Sequence, residues 1–408
     1  MSGLKKTVSI LICAILFNAI MYAQKTWKVW SAEYSIANKT GLSTDDAFNA
    51  ITLMSISQSP INGLLITENY DTFPITRDPH ITDRNQSNLL FFDIPIHHFR
   101  IISPQISEGI ICYFQSDKMH IKLPAVKSFT DSCDLPYIVP QSIWRQGLPD
   151  PTPGRTRTPT QHCIIHHSAS ANSDTNTIAL VRAFYLQHTQ VNHWDDIGYN
   201  YLIGHDGTLV AGRDPLDSGI AQDEVLGAHF CGKNSYTMGV CVIGNFQLEP
   251  PTWAAIHTLE RLLTWKTHKD GLDPLDSMMH KDILLPVIAG HRDGCSTACP
   301  GDSLYAMIPQ IRQDVSERLL TCPPLYNNSD ITWEIRVWPN PANREVNFSG
   351  ITDIRAAHLV SIFGKMFTCS VKENKILIPS DVMDGIYVLL INIKDKAAPH
   401  AALIQIIH

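Results

Sequence analysis

Residues 237–269 read "TMGVCVIGNFQLEPPTWAAIHTLERLLTWKTHK", and this stretch decides the class of the fold. Its first ten residues are an almost unbroken apolar run, the pattern of a strand buried on both faces. A proline pair ends the run, and an amphipathic helical segment follows. The same alternation extends to both sides. "HCIIHHSAS" (162–170) is a strand entering a loop, and "SDTNTIALVRAFYLQHTQ" (173–190) is a helix with Ser173, Asp174 or Asn176 as candidate caps. "YNYLIGHDGTLVAG" (199–212) is a hairpin turning at His205-Asp206-Gly207, and "DSLYAMIPQIRQDVSERLL" (302–320) is a further amphipathic helix. Strands alternating with helices predict an α/β domain over residues 134–322.

The flanks have another texture. Residues 24–133 hold short apolar or alternating stretches such as "NGLLITENY" and "GIICYF", separated by Asn, Asp, Pro and Ser, which predicts a β-rich N-terminal module. His97 and His98 lie there as strand-end residues without a metal role. A Pro- and Thr-rich linker, "PDPTPGRTRTPTQH", covers 149–162. Residues 331–408 read as a small β-sandwich, near the lower size limit for folding alone. The first 23 residues carry Lys5 and Lys6, an apolar run too short for a membrane span, and Ala23, the signature of a cleaved secretory signal with no stable membrane span left after processing.

The chain has 408 residues, with 32 Lys and Arg against 39 Asp and Glu for a net charge of −7. That balance speaks against a nucleic-acid partner. Export makes the ten cysteines informative. Cys13 leaves with the leader, and the nine that remain are an odd number, so at least one has no disulfide partner. Which of them pair cannot be read from sequence.

"GHRDGCSTACPGD" (290–302) sets His291, Cys295 and Cys299 in a loop rich in turn formers. A catalytic zinc takes three protein ligands and keeps a fourth position open. His291 and Cys299 suit two of them, and "IIHHSAS" offers the third. Neighbouring strand residues face opposite ways, so only one of His166 and His167 can reach the ion, and the pattern does not say which. A Cys295–Cys299 disulfide or a structural zinc site fits the same spacing.

Four strings in order, "IIHHSAS", "WDDIGYNYLIGHDGTLVAGR" (194–213), "GAHFCGKNSYTMGVCVIGNF" (227–246) and "GHRDGCSTACPGD", resemble the zinc-dependent N-acetylmuramoyl-L-alanine amidases of the type-2 family, which includes the peptidoglycan recognition proteins. "PYIVPQSIWRQ" (136–146) resembles the family's entry segment. The resemblance implies a central mixed β-sheet flanked by helices, and His166, His291 and Cys299 as zinc ligands. It implies a disulfide for Cys295 in place of ligation, Tyr199 and Thr297 as catalytic residues, and His188, Trp194, His229 and Asn234 as substrate-groove residues. The implied substrate is peptidoglycan or muropeptides, cut at the amide between N-acetylmuramic acid and L-alanine. Members lacking the cysteine ligand only bind peptidoglycan, so a non-catalytic recognition protein is the alternative. "DPLDSGIAQDEVL" (214–226) departs from the family's shorter loop and leaves stem-peptide preference open. "VWPNPANREVNF" (337–348), "LVSIFGKMF" (359–367) and "DGIYVLLI" (384–391) resemble the C-terminal sorting domain of type IX secretion in Bacteroidetes, although the usual basic terminal stretch is weak, "AALIQIIH" carrying no Lys or Arg. That resemblance implies the type IX machinery as a partner and an extracellular or cell-surface location.

Overall fold

In the computed structural model, residues 27–408 are described except 36–40, 56–60, 82, 104–107, 117–132, 174, 217, 323–335, 350–353, 362–364 and 394–399. The leader expected over residues 1–23 lies outside the described residues, as does Gly364 of the string "LVSIFGKMF". The chain forms two units.

The first unit combines the strands up to Ser116 with Pro140–Pro153 and Asn176–Ile197. Its strands are β1 (Trp27–Ser35), β2 (Leu42–Ser55), β3 (Gly63–Thr67), β4 (Thr72–Ile75), β5 (Leu90–Ile102) and β6 (Glu108–Ser116). They make one antiparallel sheet in the order β1-β6-β2-β5-β3-β4. Phe48 sits at the centre of its core, edge-on to Phe92, Phe99 and Tyr113. Two helices belong here, α1 (Gln141–Trp144) and α2 (Thr177–Leu186), the latter capped by Asn176, whose side chain accepts from the Ala179 amide at 3.1 Å. Arg182 of α2 is buried and donates to the carbonyls of Trp144 and Gln146, each at 2.8 Å. Those two bonds satisfy a charge that would otherwise be costly to bury.

The second unit carries the mixed sheet. Its strands are β7 (Ile138–Val139), β8 (His162–His167), β9 (Tyr201–Ile203), β10 (Leu209–Ala211), β11 (Thr237–Val242) and β14 (Ile288–Gly290), in the order β14-β8-β11-β9-β10-β7. A separate hairpin joins β12 (Ser277–His280) and β13 (Ile283–Pro286). Only β9 and β10 pair antiparallel within the mixed sheet, around the expected turn, where Gly207 takes φ +81°. Every residue of β8 and β11 is buried, which is why β11 reads as an almost continuous apolar run. Helices α3 (Trp253–Asp270) and α4 (Asp302–Leu319) bury Leu259, Leu262, Leu263, Leu304, Ile308 and Ile311 in the core shared with these strands. Thr252 caps the start of α3 by accepting from the Ala255 amide, and Gly271 ends it at φ +63°, a left-handed position that favours glycine.

One polar cluster interrupts this core. Lys266 of α3 is 0% exposed and pairs with Asp223 and, at 2.6 Å, with Asp270; Lys269 also reaches Asp223 at 2.6 Å. Burial pushes the Asp223 carboxyl up, but the Lys266 and Lys269 ammonium groups outweigh it and hold the group below its ordinary value. Asp223→Ala strips a buried ammonium of one partner, and the expected loss is about 3 kcal/mol, read as a lowered urea midpoint. Because the folded pKa is depressed, this contribution is complete above the ordinary carboxylate value of about 4. It disappears as pH falls through the folded value.

The described residues beyond 335 form seven antiparallel strands between Arg336 and Ile406, with a core that includes Val346, Phe348, Leu359, Phe367, Leu389 and Ile404. The strand Met366–Lys372 changes partner midway. Its first half pairs with Ala357–Val360 and its second with Lys375–Leu377, as a strand does at the corner between two layers. No helix among the described residues is long and apolar enough to cross a membrane.

Candidate metal centre

Strand β8 ends in two adjacent histidines, and the alternation of a strand sends them to different neighbours. His167 turns to the Phe246 backbone, whose amide donates to its Nδ1 at 3.2 Å. His166 turns to the loop after β14. Its Nδ1 lies 3.7 Å from Sγ of Cys299, and its ring centre lies 4.4 Å from that of His291. Of the two histidines, His166 is the one whose ring nitrogen faces the Cys299 sulfur.

His291 opens a short 3₁₀ turn directly after β14, and Asp293 closes that turn by accepting the Gly290 amide at 2.8 Å. The rest of the loop is laced by Arg292, which bonds the carbonyls of Ala298 and Cys299 and pairs with Asp302 at 2.7 Å. Thr297 accepts the Cys299 amide through its hydroxyl at 3.2 Å. Gly301 sits at φ +88°, and a Cβ there would lie 2.3 Å from the Phe246 carbonyl carbon, so the chain can pass only as glycine. These contacts aim a thiol that is 0% exposed at two buried imidazoles.

The donor set fits zinc. One ligand atom from each of His166, His291 and Cys299 lies within 4.8 Å of the others. Two imidazole nitrogens and one sulfur around a tetrahedral ion sit roughly 3.3–3.8 Å apart, close to the separation found between Cys299 and His166. Nitrogen and sulfur donors, with no carboxylate among these three, select zinc over magnesium or calcium.

The other cysteines sort themselves around this one. Cys295 bonds Cys231, and Cys133 bonds Cys322, so the short Cys295–Cys299 bridge is not made. Cys112, Cys163, Cys241 and Cys369 are buried free thiols. Burial pushes Cys163 up to about 12 and Cys112 up to about 11, values that keep them protonated and inert.

Tyr199 is buried with its ring 5.1 Å from that of His166. His229 is 6% exposed, and its Nδ1 lies 3.0 Å from Nε2 of His166. Asn234 accepts the amides of His229 and Phe230 through its side-chain oxygen, each at 2.8 Å. His229 thus meets His166, and Asn234 braces the loop that carries His229. His188 and Trp194 belong to the first unit, where their rings meet at 4.6 Å.

Three supports escaped sequence reasoning. Asn200 fastens β9 to β11 by accepting the Gly239 amide at 2.8 Å while donating to the Val225 carbonyl. Thr237 reads as the first residue of a strand, yet its hydroxyl faces His229. The Cys231–Cys295 bridge spans a sequence separation of 64. The resemblance had given Cys295 a disulfide without naming Cys231 as its partner, and nothing in the sequence announced the other two.

Residues 156–302, which contain every one of these metal-site donors, match the family described as N-acetylmuramoyl-L-alanine amidase. A peptidoglycan-recognition protein SC2 of Drosophila melanogaster is 31% identical over 150 residues, 35% of this chain and 70% of its own length. Peptidoglycan recognition protein 1 of Bos indicus is 30% identical over 159 residues, 38% of this chain and 74% of its own. The chain belongs to the N-acetylmuramoyl-L-alanine amidase and peptidoglycan recognition protein family. Human N-acetylmuramoyl-L-alanine amidase is 28% identical over 229 residues, 52% of this chain but 37% of that protein. The chain spans about a third to a half of the length of the first curated relatives it matches. The matched residues carry the metal-site donors and most strands of the mixed sheet, and they include α2 of the first unit, whereas the strands from Arg336 onward lie outside them.

Proposed function

We propose that this chain is a secreted zinc-dependent hydrolase that cuts the amide between N-acetylmuramic acid and L-alanine in peptidoglycan. The observation that carries the reading is the Cys299 thiol held between His166 and His291. A family member that only bound peptidoglycan has no need of a buried sulfur at that point. His166, His291 and Cys299 would hold a zinc ion, which would supply Lewis acidity toward the amide carbonyl and a water of near-neutral pKa.

The chain's own residues do the rest. His166 is anchored by His229, and Cys299 by Thr297 and Arg292, so the donor set is in place before any ligand arrives. Tyr199, whose ring lies 5.1 Å from that of His166, is assigned on the family resemblance to donate a hydrogen bond to the oxygen on which charge develops as the amide carbonyl becomes tetrahedral. Thr297 is assigned to the reacting water's neighbourhood on the family resemblance, together with the ligand-loop bond described above. The resemblance adds His188 and Trp194 as substrate-contacting residues and residues 331–408 as the type IX sorting domain, which would deliver the enzyme to the cell surface or beyond.

The test is mass analysis of purified muropeptides incubated with the full chain. Hydrolysis predicts free stem peptides beginning with L-alanine, together with peptide-free glycan, and a chelator stops their release. Binding of muropeptide without any release of peptide would overturn the hydrolase reading.

A further inference from the structure

His166 has two ring nitrogens and one proton to place, and only a bare Nδ1 can face Cys299 as a ligand. A chain of hydrogen bonds decides the matter. Thr237 donates its single hydroxyl proton to the Asn234 carbonyl at 2.7 Å. Having spent it, the Thr237 oxygen can only accept, and the group within reach is Nε2 of His229 at 3.4 Å. His229 therefore carries its proton on Nε2 and presents a lone pair at Nδ1. The contact of 3.0 Å with Nε2 of His166 then needs its proton from His166, which leaves Nδ1 of His166 bare on the Cys299 side.

The ring that relays this choice is held from several directions. A Cβ at Gly227 or at Gly239 would lie 2.5 Å from Cδ2 of His229, so both glycines leave room that the imidazole fills. Asn234 fixes the His229 amide at 2.8 Å, and two residues on, Cys231 is bonded to Cys295 of the ligand loop. Thr237 is 0% exposed, so the relay is shielded from solvent at its far end.

We infer that His229 is a positioning residue, and that the Thr237–His229 relay sets the tautomer of His166. Its consequence for metal affinity rests on the zinc reading above, whereas the tautomer itself does not. Without the Thr237 acceptor, His229 can move its proton to Nδ1 and donate to His166, which places the His166 proton on the nitrogen that should ligate.

The experiment uses the full chain with labelled histidine. Two-bond nitrogen–proton correlation spectra of the zinc-free protein are expected to show His166 protonated on Nε2, with Nδ1 bare. Thr237→Val is expected to weaken zinc binding by about 10–100-fold in competition with a chromogenic chelator. Thr237→Ser, which keeps the hydroxyl, should restore wild-type affinity. The wild-type spectrum needs no variant, so a Thr237→Val protein that fails to fold does not rescue the idea. A wild-type His166 protonated on Nδ1 overturns it, and so does an unchanged zinc affinity in folded Thr237→Val. Should the wild type take up no zinc yet show the Nε2 proton, the metal reading falls and the relay stands.

Discussion

Cys299→Ala is expected to abolish zinc retention and lower amide hydrolysis by about a thousandfold or more. The loss follows from the coordination number. A catalytic zinc with three protein ligands keeps its open position only while all three are present, and two imidazoles alone hold the ion weakly. Metal chemistry supplies several kcal/mol of transition-state stabilisation, and each 1.36 kcal/mol is a factor of ten, so about 4 kcal/mol becomes about a thousandfold. The sulfur also accepts the His167 amide at 3.4 Å, a weak bond whose loss the buried strand β8 tolerates. Circular dichroism should therefore match the wild type while release of stem peptide disappears. A folded, zinc-free Cys299→Ala protein that still released peptide at the wild-type rate would refute the assignment.

Tyr199→Phe carries the second large effect, with the opposite signature for the metal. The ring is 6% exposed and packs beside His166, so phenylalanine keeps the packing and deletes only the hydroxyl. Removing one donor to a developing oxyanion costs about a hundredfold to a thousandfold in kcat. Zinc content is expected to stay at the wild-type level, and KM to change little, because the lost interaction forms only in the transition state. Turnover within threefold of the wild type would remove Tyr199 from the reaction.

Much of this was legible because burial leaves a periodic trace. Strand β11 and helix α3 stood out as an apolar run and an amphipathic segment, and the turn at Gly207 carried its own glycine. The ligand loop was visible through composition, since His291, Cys299 and four turn formers have no place in a core. What stayed hidden depends on who lies opposite whom. Period-two alternation says that His166 and His167 diverge but not which of them meets Cys299. The Cys231–Cys295 pairing needs the two loops to be brought together first. Nothing in the sequence marks the contact of His229 with His166 or the bonds by which Asn234 braces its loop, and only distances show them. Lys266 reads as one polar residue on a helix, and nothing nearby in sequence announces that Asp223 will meet it in the core.

The most direct test of the centre is zinc-edge X-ray absorption on the purified full chain. The account predicts one zinc per chain with a single sulfur at about 2.3 Å and two histidine nitrogens at about 2.0–2.1 Å, completed by a light oxygen scatterer. The sulfur should vanish from that shell, together with most of the zinc, in Cys299→Ala. A protein that takes up no zinc, or whose zinc keeps its sulfur when Cys299 is gone, would contradict it.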